Sequence, residues 1–161
     1  MFRAWRKGFI EERYRDTFAF LLRLLVLAGP LYFIMFFVDL YPLQAMVAGN
    51  SFAIMEGIGL SPVINGPEMQ VGDFHFFISK DSTGWKSMLF FGALVVAVPG
   101  IVWRKRIVGL AGVAVVYLGN LGRVVVIVLA EQAWGFESAM LVHDYLWRFG
   151  LIALVLGLWL A

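Results

Sequence analysis

The chain has 161 residues, of which 61% are hydrophobic and 15% charged, and its formal net charge is +2. A soluble domain of this size carries about 45–50% apolar and 25% charged residues. The composition therefore excludes an ordinary soluble protein and predicts a small integral membrane protein. The small positive charge gives no support for nucleic-acid binding, and the absence of cysteine excludes disulfide bonds.

The first 17 residues, "MFRAWRKGFIEERYRDT", have a basic start that is typical of secretory signals. The apolar run that follows is longer than a signal h-region and has no small-residue cleavage site. We interpret residues 1–17 as a cytoplasmic interfacial helix that leads into a first membrane span.

Four stretches approach the length of about 20 residues that one membrane crossing requires. They are residues 18–40, 85–103, 107–130 and 145–161. The expected fold is an all-α integral membrane protein with about four transmembrane helices, an outer amphipathic helix and a small extracellular β-hairpin or sheet. Residues 1–161 are expected to form a single membrane domain.

The positions of the charges orient these spans, because cytoplasmic loops are rich in lysine and arginine. Cations concentrate at the N-terminus and in the turn Arg104-Lys105-Arg106. The other connecting segments are mainly acidic: Asp39, Glu56, Glu68, Asp73, Asp81, Glu131, Glu137 and Asp144. Both termini are therefore expected in the cytoplasm, with residues 41–84 on the outer face of the cytoplasmic membrane.

The outer segment begins with a pattern that is typical of an interfacial amphipathic helix. Its apolar face is predicted from Leu43, Val47, Ile54 and Ile58, and its polar residues are Gln44, Asn50, Ser51 and Glu56. Turn signals at Asn65-Gly66-Pro67 and Gly72-Asp73 then separate short β-prone runs, which predicts a two- or three-stranded sheet. His75, within "FHFFI", is interpreted as structural.

Arg123 lies inside the third predicted span, where a cation costs about 2.5–3.5 kcal/mol and usually marks function. Asn120 precedes it by three residues and so shares its helix face. Gly112, Gly119 and Gly122 are expected to allow close helix approach nearby. These residues favour a packed polar site, although snorkelling of Arg123 to the outer headgroups is an alternative.

Two other spans bring polar groups to the same depth. Ser82 and Thr83 precede the second span, and His143 precedes the fourth. Helix capping by Ser82 or Thr83 and an interfacial histidine without chemistry are the alternatives. The remaining lip residues are interpreted as solvated or paired: Asp81, Lys86, Asp144 and Arg148. The pattern predicts a polar pocket near the outer face, and no motif calls for a metal or cofactor.

The order of the motifs resembles that of the archaeosortase/exosortase family. Members of this family are multi-spanning cysteine transpeptidases that act at the outer face of the membrane. The resemblance rests on "GLSPVING" (Gly59–Gly66), "STGWKS" from Ser82, "NLGR" from Asn120 to Arg123, and His143. It covers roughly residues 57–150.

The resemblance implies a cysteine, arginine and histidine site. Thr83-Gly84 and Asn120 match the supporting positions, Arg123 and His143 match the catalytic ones, and Ser82 stands where the family has its nucleophilic cysteine. Serine is nearly isosteric with cysteine, so our simplest hypothesis is an inactivating cysteine-to-serine substitution. A natural serine variant or a degenerate homologue are the alternatives.

The chemistry is consistent with these roles. A cysteine at a helix N-terminus near cations is activated as a thiolate, His143 would shuttle the proton, and Arg123 would stabilise the oxyanion. A serine is far less acidic, and Asp144 is expected to point away from His143. We therefore expect substrate binding with little turnover.

The resemblance also implies the partners. They are a secreted protein with a C-terminal sorting signal (a short motif, one spanning helix and a basic tail) and a lipid or envelope acceptor. Two other classes stay open: a membrane scaffold or transport subunit that has no need of Ser82, and a serine-type intramembrane hydrolase.

Overall fold

The computed structural model describes the backbone of residues 2–160 and the side chains of residues 14–146 and 149–160. Among the described residues, two helices are long and apolar enough to cross a membrane: residues Tyr14–Phe37 within α1 (Phe2–Phe37) and α4 (Trp103–Trp134). The prediction of a mainly helical chain is confirmed, and these two helices are consistent with a membrane protein. The two other apolar helices, α3 (Trp85–Ala97) and α6 (Leu151–Leu160), are shorter, so the count of four crossings stays a prediction.

Helix α1 differs from the predicted pair of an interfacial helix and a span. Its backbone is helical without a break from Phe2 to Phe37, and Pro30 lies inside it. The helix ends three residues before the predicted boundary at residue 40. Lys80 binds this end, since its Nζ donates to the carbonyl oxygens of Phe36 (3.0 Å) and Val38 (2.6 Å).

The connection between α3 and α4 also lies elsewhere than predicted. Helix α3 ends at Ala97 rather than at residue 103, and Val98 is extended because it precedes Pro99, which disfavours a helical residue before it. Helix α4 begins at Trp103. The cations at 104–106, which were predicted to form a turn, therefore lie in the first turn of α4.

The C-terminal region is helical from α5 onward. Helix α5 (Phe136–Tyr145) passes through a π-helical turn (Leu146–Gly150) into α6, and the backbone stays in the right-handed helical region at Tyr145, Leu146 and Leu151. At about 1.5 Å per residue, this combined helix exceeds the ~30 Å apolar thickness of a bilayer. It includes residues 145–160 of the predicted fourth span, and Ala161 lies outside the described residues.

Helix α2 (Tyr41–Gly57) confirms the predicted helix, and the face that it packs against the protein differs from the apolar face predicted for the membrane interface. The buried residues are Gln44, Val47, Ala48, Ser51 and Met55. Ile54 and Ile58 of the predicted apolar face are 39% and 52% exposed, whereas Val47 of that face is buried. Burial of Gln44 is tolerated because its Nε2 donates to the carbonyl oxygen of Ile78 at 2.8 Å, which satisfies the amide.

A three-stranded antiparallel sheet follows α2, in the order β1 (Pro62–Asn65), β2 (Glu68–Val71) and β3 (Phe74–Phe77). The two hairpin turns are Gly66-Pro67 and Gly72-Asp73, as the sequence predicted. Gly66 and Gly72 have φ of 59° and 58°, the left-handed conformation that tight hairpins require.

Helix α4 carries both hydrophobic clusters. Leu121, Val124, Val125 and Val128 pack with buried residues of α2 and the sheet, including Val47 and Phe74. Val116, one turn earlier, packs with Phe91 and Val155 of α3 and α6. Residues 116–128 of α4 thus join two parts of the molecule. One part is α2 with the sheet, and the other is the helix bundle with α3 and α6.

We expect Lys80→Met to lower the free energy of unfolding by about 1 kcal/mol, since two charge-assisted hydrogen bonds to the end of α1 are lost from a partly exposed site. Thermal unfolding in detergent would measure this. Lys86→Met is the matched control, because an exposed ion pair contributes about 0–1 kcal/mol. An effect of Lys86→Met as large as that of Lys80→Met would contradict the proposed anchoring of α1.

Candidate active site

The pocket begins with a short 3₁₀ turn, Lys80–Thr83, that links the sheet to α3. Ser79 caps it: the backbone N–H of Ser82 donates to the Ser79 carbonyl oxygen (2.9 Å) and to its Oγ (3.2 Å). The two hydroxyl oxygens, Ser79 Oγ and Ser82 Oγ, are 3.0 Å apart. Ser79 thus fixes both the backbone and the side chain at position 82.

Neither Ser82 nor Thr83 is the N-cap of α3, so the capping alternative is wrong. That position is Gly84, in the left-handed conformation with φ 75°. The Thr83 hydroxyl instead donates to the carbonyl oxygen of Lys80 at 2.8 Å and accepts a longer contact, 3.4 Å, from the N–H of Trp85. The hydroxyl of Ser82 is left facing the pocket at the N-terminal end of α3.

Two side chains of α4 bind the backbone carbonyl oxygen of Ser82. Asn120 Nδ2 and Arg123 Nη2 each donate to it at 3.0 Å, and a carbonyl oxygen has two lone pairs to accept both. Asn120 is fully buried and Arg123 is 5% exposed. The guanidinium faces the protein interior, so the snorkelling alternative for Arg123 is wrong. We call this pair of hydrogen bonds the Ser82 clamp.

Close packing supports the clamp from the α3 side. A Cβ on Gly84 would lie 2.8 Å from Cγ of Asn120, so only glycine lets α3 begin this near to α4. Two of the three glycines predicted to allow close approach do so, Gly112 against Phe91 and Gly119 against Leu154. At Gly122 an added Cβ would meet no atom of the described residues within 4 Å, and the prediction is wrong there.

Ser82, Arg123 and His143 line one cavity of about 170 Å³. The fold brings these three residues together from the 3₁₀ turn, the middle of α4 and the end of α5. The rest of the lining is apolar: Phe74, Phe76, Phe77, Ile78, Val124, Ile127, Val128 and Met140. The predicted supporting residues Thr83 and Asn120 are fully buried beside the cavity. Their supporting roles stay predictions, as do the catalytic roles of Ser82, Arg123 and His143.

His143 has an acidic neighbour that the sequence reasoning excluded. Its Nδ1 lies 3.4 Å from Oδ1 of Asp144, so the expectation that Asp144 points away is wrong. Both side chains are partly exposed at the last turn of α5, at 36% and 63%. A proton on Nδ1 directed at Asp144 would leave Nε2 as the basic nitrogen.

Three described polar residues of the same region, Asp81, Lys86 and His75, are not among those that line the cavity. Asp81 and Lys86 form an exposed ion pair of 2.7 Å, as the sequence predicted. His75 is exposed on β3 and is not among the described residues that line the cavity. The side chain of Arg148 lies outside the described residues.

The sequence reasoning missed Ser79 and the aromatic wall. Ser79 had a local signal, since a serine three residues before Ser82 is in position to accept its N–H. Phe74 and Phe76 also had one, because residues two apart in a strand share a face. The position of Met140 in the cavity wall had no local sequence signal, because it depends on where α5 packs.

The family model described as transmembrane exosortase matches residues 9–160. Among curated proteins and among solved structures, none matches the chain.

Gly84→Ala is expected to lower the free energy of unfolding by about 2–5 kcal/mol, since a left-handed alanine costs about 1–2 kcal/mol and overpacking adds about 1–3 kcal/mol. Gly100→Ala is the control, because Gly100 has φ 74° but an added Cβ would meet no described atom within 4 Å. Thermal unfolding would compare them. Equal losses would show that contact between Gly84 and Asn120 contributes nothing.

Proposed function

The chain belongs to the transmembrane exosortase family, and on that premise we propose that it processes secreted proteins that carry a C-terminal sorting signal. The signal consists of a short motif, one spanning helix and a basic tail. The proposed reaction is transpeptidation: cleavage near the motif and transfer of the new C-terminus to a lipid or other envelope acceptor.

One observation carries the proposal: Ser82, Arg123 and His143, which lie far apart in sequence, line a single cavity. The cavity combines a nucleophile position, a permanent cation and an imidazole, which are the three groups that acyl transfer requires. Its apolar remainder excludes water from a developing acyl intermediate, which favours transfer over hydrolysis.

With a cysteine at position 82, the proposed steps are as follows. The thiol gives its proton to His143 and attacks the scissile carbonyl carbon, forming a tetrahedral intermediate. The C–N bond then breaks, His143 returns the proton to the leaving amine, and a thioester remains. An acceptor nucleophile attacks that thioester, and the thiol is regenerated.

Arg123 is proposed to have two functions. Through the Ser82 clamp it fixes the backbone of the nucleophile position. Its guanidinium also lines the cavity in which the oxyanion would form, and a fixed cation in a site of low polarity stabilises such charge strongly. Asn120 is a positioning residue, since it acts on the same carbonyl oxygen from behind the cavity.

Serine at position 82 is proposed to make this chain a weak or inactive catalyst. The thiolate is the reactive form of cysteine and is readily stabilised by nearby cations, whereas a serine hydroxyl needs a strong, oriented base. The chain would then bind its substrate and release it unprocessed.

A serine-type hydrolase is the second candidate, favoured by the contact between His143 and Asp144. Ser82, His143 and Asp144 supply the three residue types of a serine triad. The contact is long, at 3.4 Å, and both side chains are partly exposed, so the base would be oriented more weakly than in a buried triad. For this reason we favour the cysteine-type reaction.

We also propose the membrane arrangement in full. Residues 14–37, α3, α4 and the helix formed by α5, the π turn and α6 would cross the membrane in one domain, 1–161. The sheet, α2 and the cavity would face outward, because the basic residues 104–106 lie at the opposite end of α4 from the cavity.

The experiment is co-expression of the chain with a tagged secreted protein that ends in a sorting signal. We expect little processing by the chain as it stands, and processing with Ser82→Cys. Adding Arg123→Ala or His143→Ala to Ser82→Cys should lower the rate about 10²–10⁴-fold, since each removes a group that acts in the transition state. Immunoblotting of the tag would follow the cleavage.

His75→Ala in the Ser82→Cys background is the matched control and should leave processing unchanged, since His75 lies outside the cavity. Equal processing by serine and cysteine, together with loss on Asp144→Asn, would favour the hydrolase. Absence of processing by Ser82→Cys with the cognate substrate supplied would leave a scaffold or transport subunit as the function.

A further inference from the structure

We propose that the end of the bundle opposite the candidate active site binds an anionic phospholipid. The headgroup phosphate would lie between Lys105 and Arg106, and an acyl chain would fill the apolar groove beneath them. This site is independent of the proposed catalytic function.

The groove is a cavity of about 530 Å³ between three helices. Its lining comes from the end of α3, the following loop, the first turns of α4 and the end of α6: Phe91, Val95, Val98, Ile101, Lys105, Arg106, Val108, Gly109, Gly112, Leu158 and Trp159. Nine of these eleven residues are apolar or glycine, which suits a hydrocarbon chain rather than a polar solute.

The groove lies where α3 ends. Helix α3 stops at Ala97, ahead of Pro99, and the residues that line the groove on α6 are Leu158 and Trp159. Beside the groove α3 and α4 are in close contact, since a Cβ on Gly109 would lie 2.9 Å from Cγ1 of Val95. The groove is therefore bordered by this contact between α3 and α4, and Lys105 and Arg106 are among its lining residues.

The charge at the opening selects an anion. Two cations line the groove, and no carboxylate is among the described residues that line it. Arg106 is held at the rim, because its Nη2 donates to the carbonyl oxygen of Val98 at 3.0 Å, while Lys105 is exposed. Basic pockets between membrane helices bind lipid phosphates in this way.

The level of the opening favours a lipid over a soluble phosphate compound. Trp103 and Trp159 are 65% and 39% exposed at this end, and tryptophan concentrates at the headgroup level of a membrane. Arg106 lies about 26 Å from Arg123 along α4, at ~1.5 Å per residue. The two sites are thus separated by nearly the thickness of the apolar bilayer.

The test is native mass spectrometry of the detergent-solubilised chain with dioleoylphosphatidylglycerol, using dioleoylphosphatidylcholine as the zwitterionic probe. We expect the anionic lipid to bind, and Lys105→Gln to weaken binding about fivefold, the effect of one cation at a lipid headgroup. Arg104→Gln is the matched control: it removes the same charge from the same helical turn, but Arg104 is not among the described residues that line the groove. The affinity of the Arg104→Gln variant for dioleoylphosphatidylglycerol should change less than about twofold.

Three results would overturn the proposal. Phosphatidylcholine binding as tightly as phosphatidylglycerol would show that Lys105 and Arg106 do not distinguish an anionic headgroup from a zwitterionic one. Equal weakening by Lys105→Gln and Arg104→Gln would show attraction by general surface charge. Displacement of phosphatidylglycerol by millimolar sodium phosphate would show a site for free phosphate and not for a lipid.

Discussion

The arrangement of the molecule depends on one backbone atom, the carbonyl oxygen of Ser82, which accepts hydrogen bonds from Asn120 and Arg123 of α4. This oxygen belongs to the segment that joins the sheet to α3. Holding it against the middle of α4 fixes where α3 begins, where the sheet lies and which way the side chain at position 82 points. Removing either donor would leave this oxygen with one of its two hydrogen bonds from α4, at a loss of about 0.5–1.5 kcal/mol for the neutral Asn120 and about 1.5–3 kcal/mol for the charged Arg123.

The clamp also explains how an arginine is tolerated within an apolar helix. Its guanidinium is buried at 5% exposure and is directed at a protein carbonyl rather than at hydrocarbon. Ile78, just before the clamped turn, is itself bound through its carbonyl oxygen by Gln44 of α2. Polar side chains of α2 and α4 thus fasten the same connecting segment from two directions, and the apolar residues around them form the wall of the cavity.

Local features of the sequence predicted much of this. The hairpin turns at Gly66-Pro67 and Gly72-Asp73 were readable because glycine with positive φ and proline determine short turns. The three residue types at positions 82, 123 and 143 were expected at one depth because helix length fixes depth. In contrast, the burial of Gln44 in α2 was not predicted, since it depends on a carbonyl oxygen 34 residues away. The end of α3 was also misplaced, although Pro99 gave a local signal for it. Ser79 was overlooked, and the contact of Asp144 with His143 depends on side-chain conformations that spacing does not reveal.

Helix α4 lines two sites of different chemistry: the mainly apolar cavity with Ser82, Arg123 and His143 at its middle, and the basic groove at its N-terminal end. The most direct measurement of the central claim is short-range cross-linking, which is feasible because the chain contains no cysteine. A short bifunctional maleimide should link the two thiols of the S82C/H143C double variant within one chain, and the yield should fall when Asn120→Ala removes half of the clamp. The S82C/H75C pair, whose second position lies outside the cavity, should link poorly. A linking yield for S82C/H143C no higher than for S82C/H75C, or unchanged by Asn120→Ala, would contradict the account.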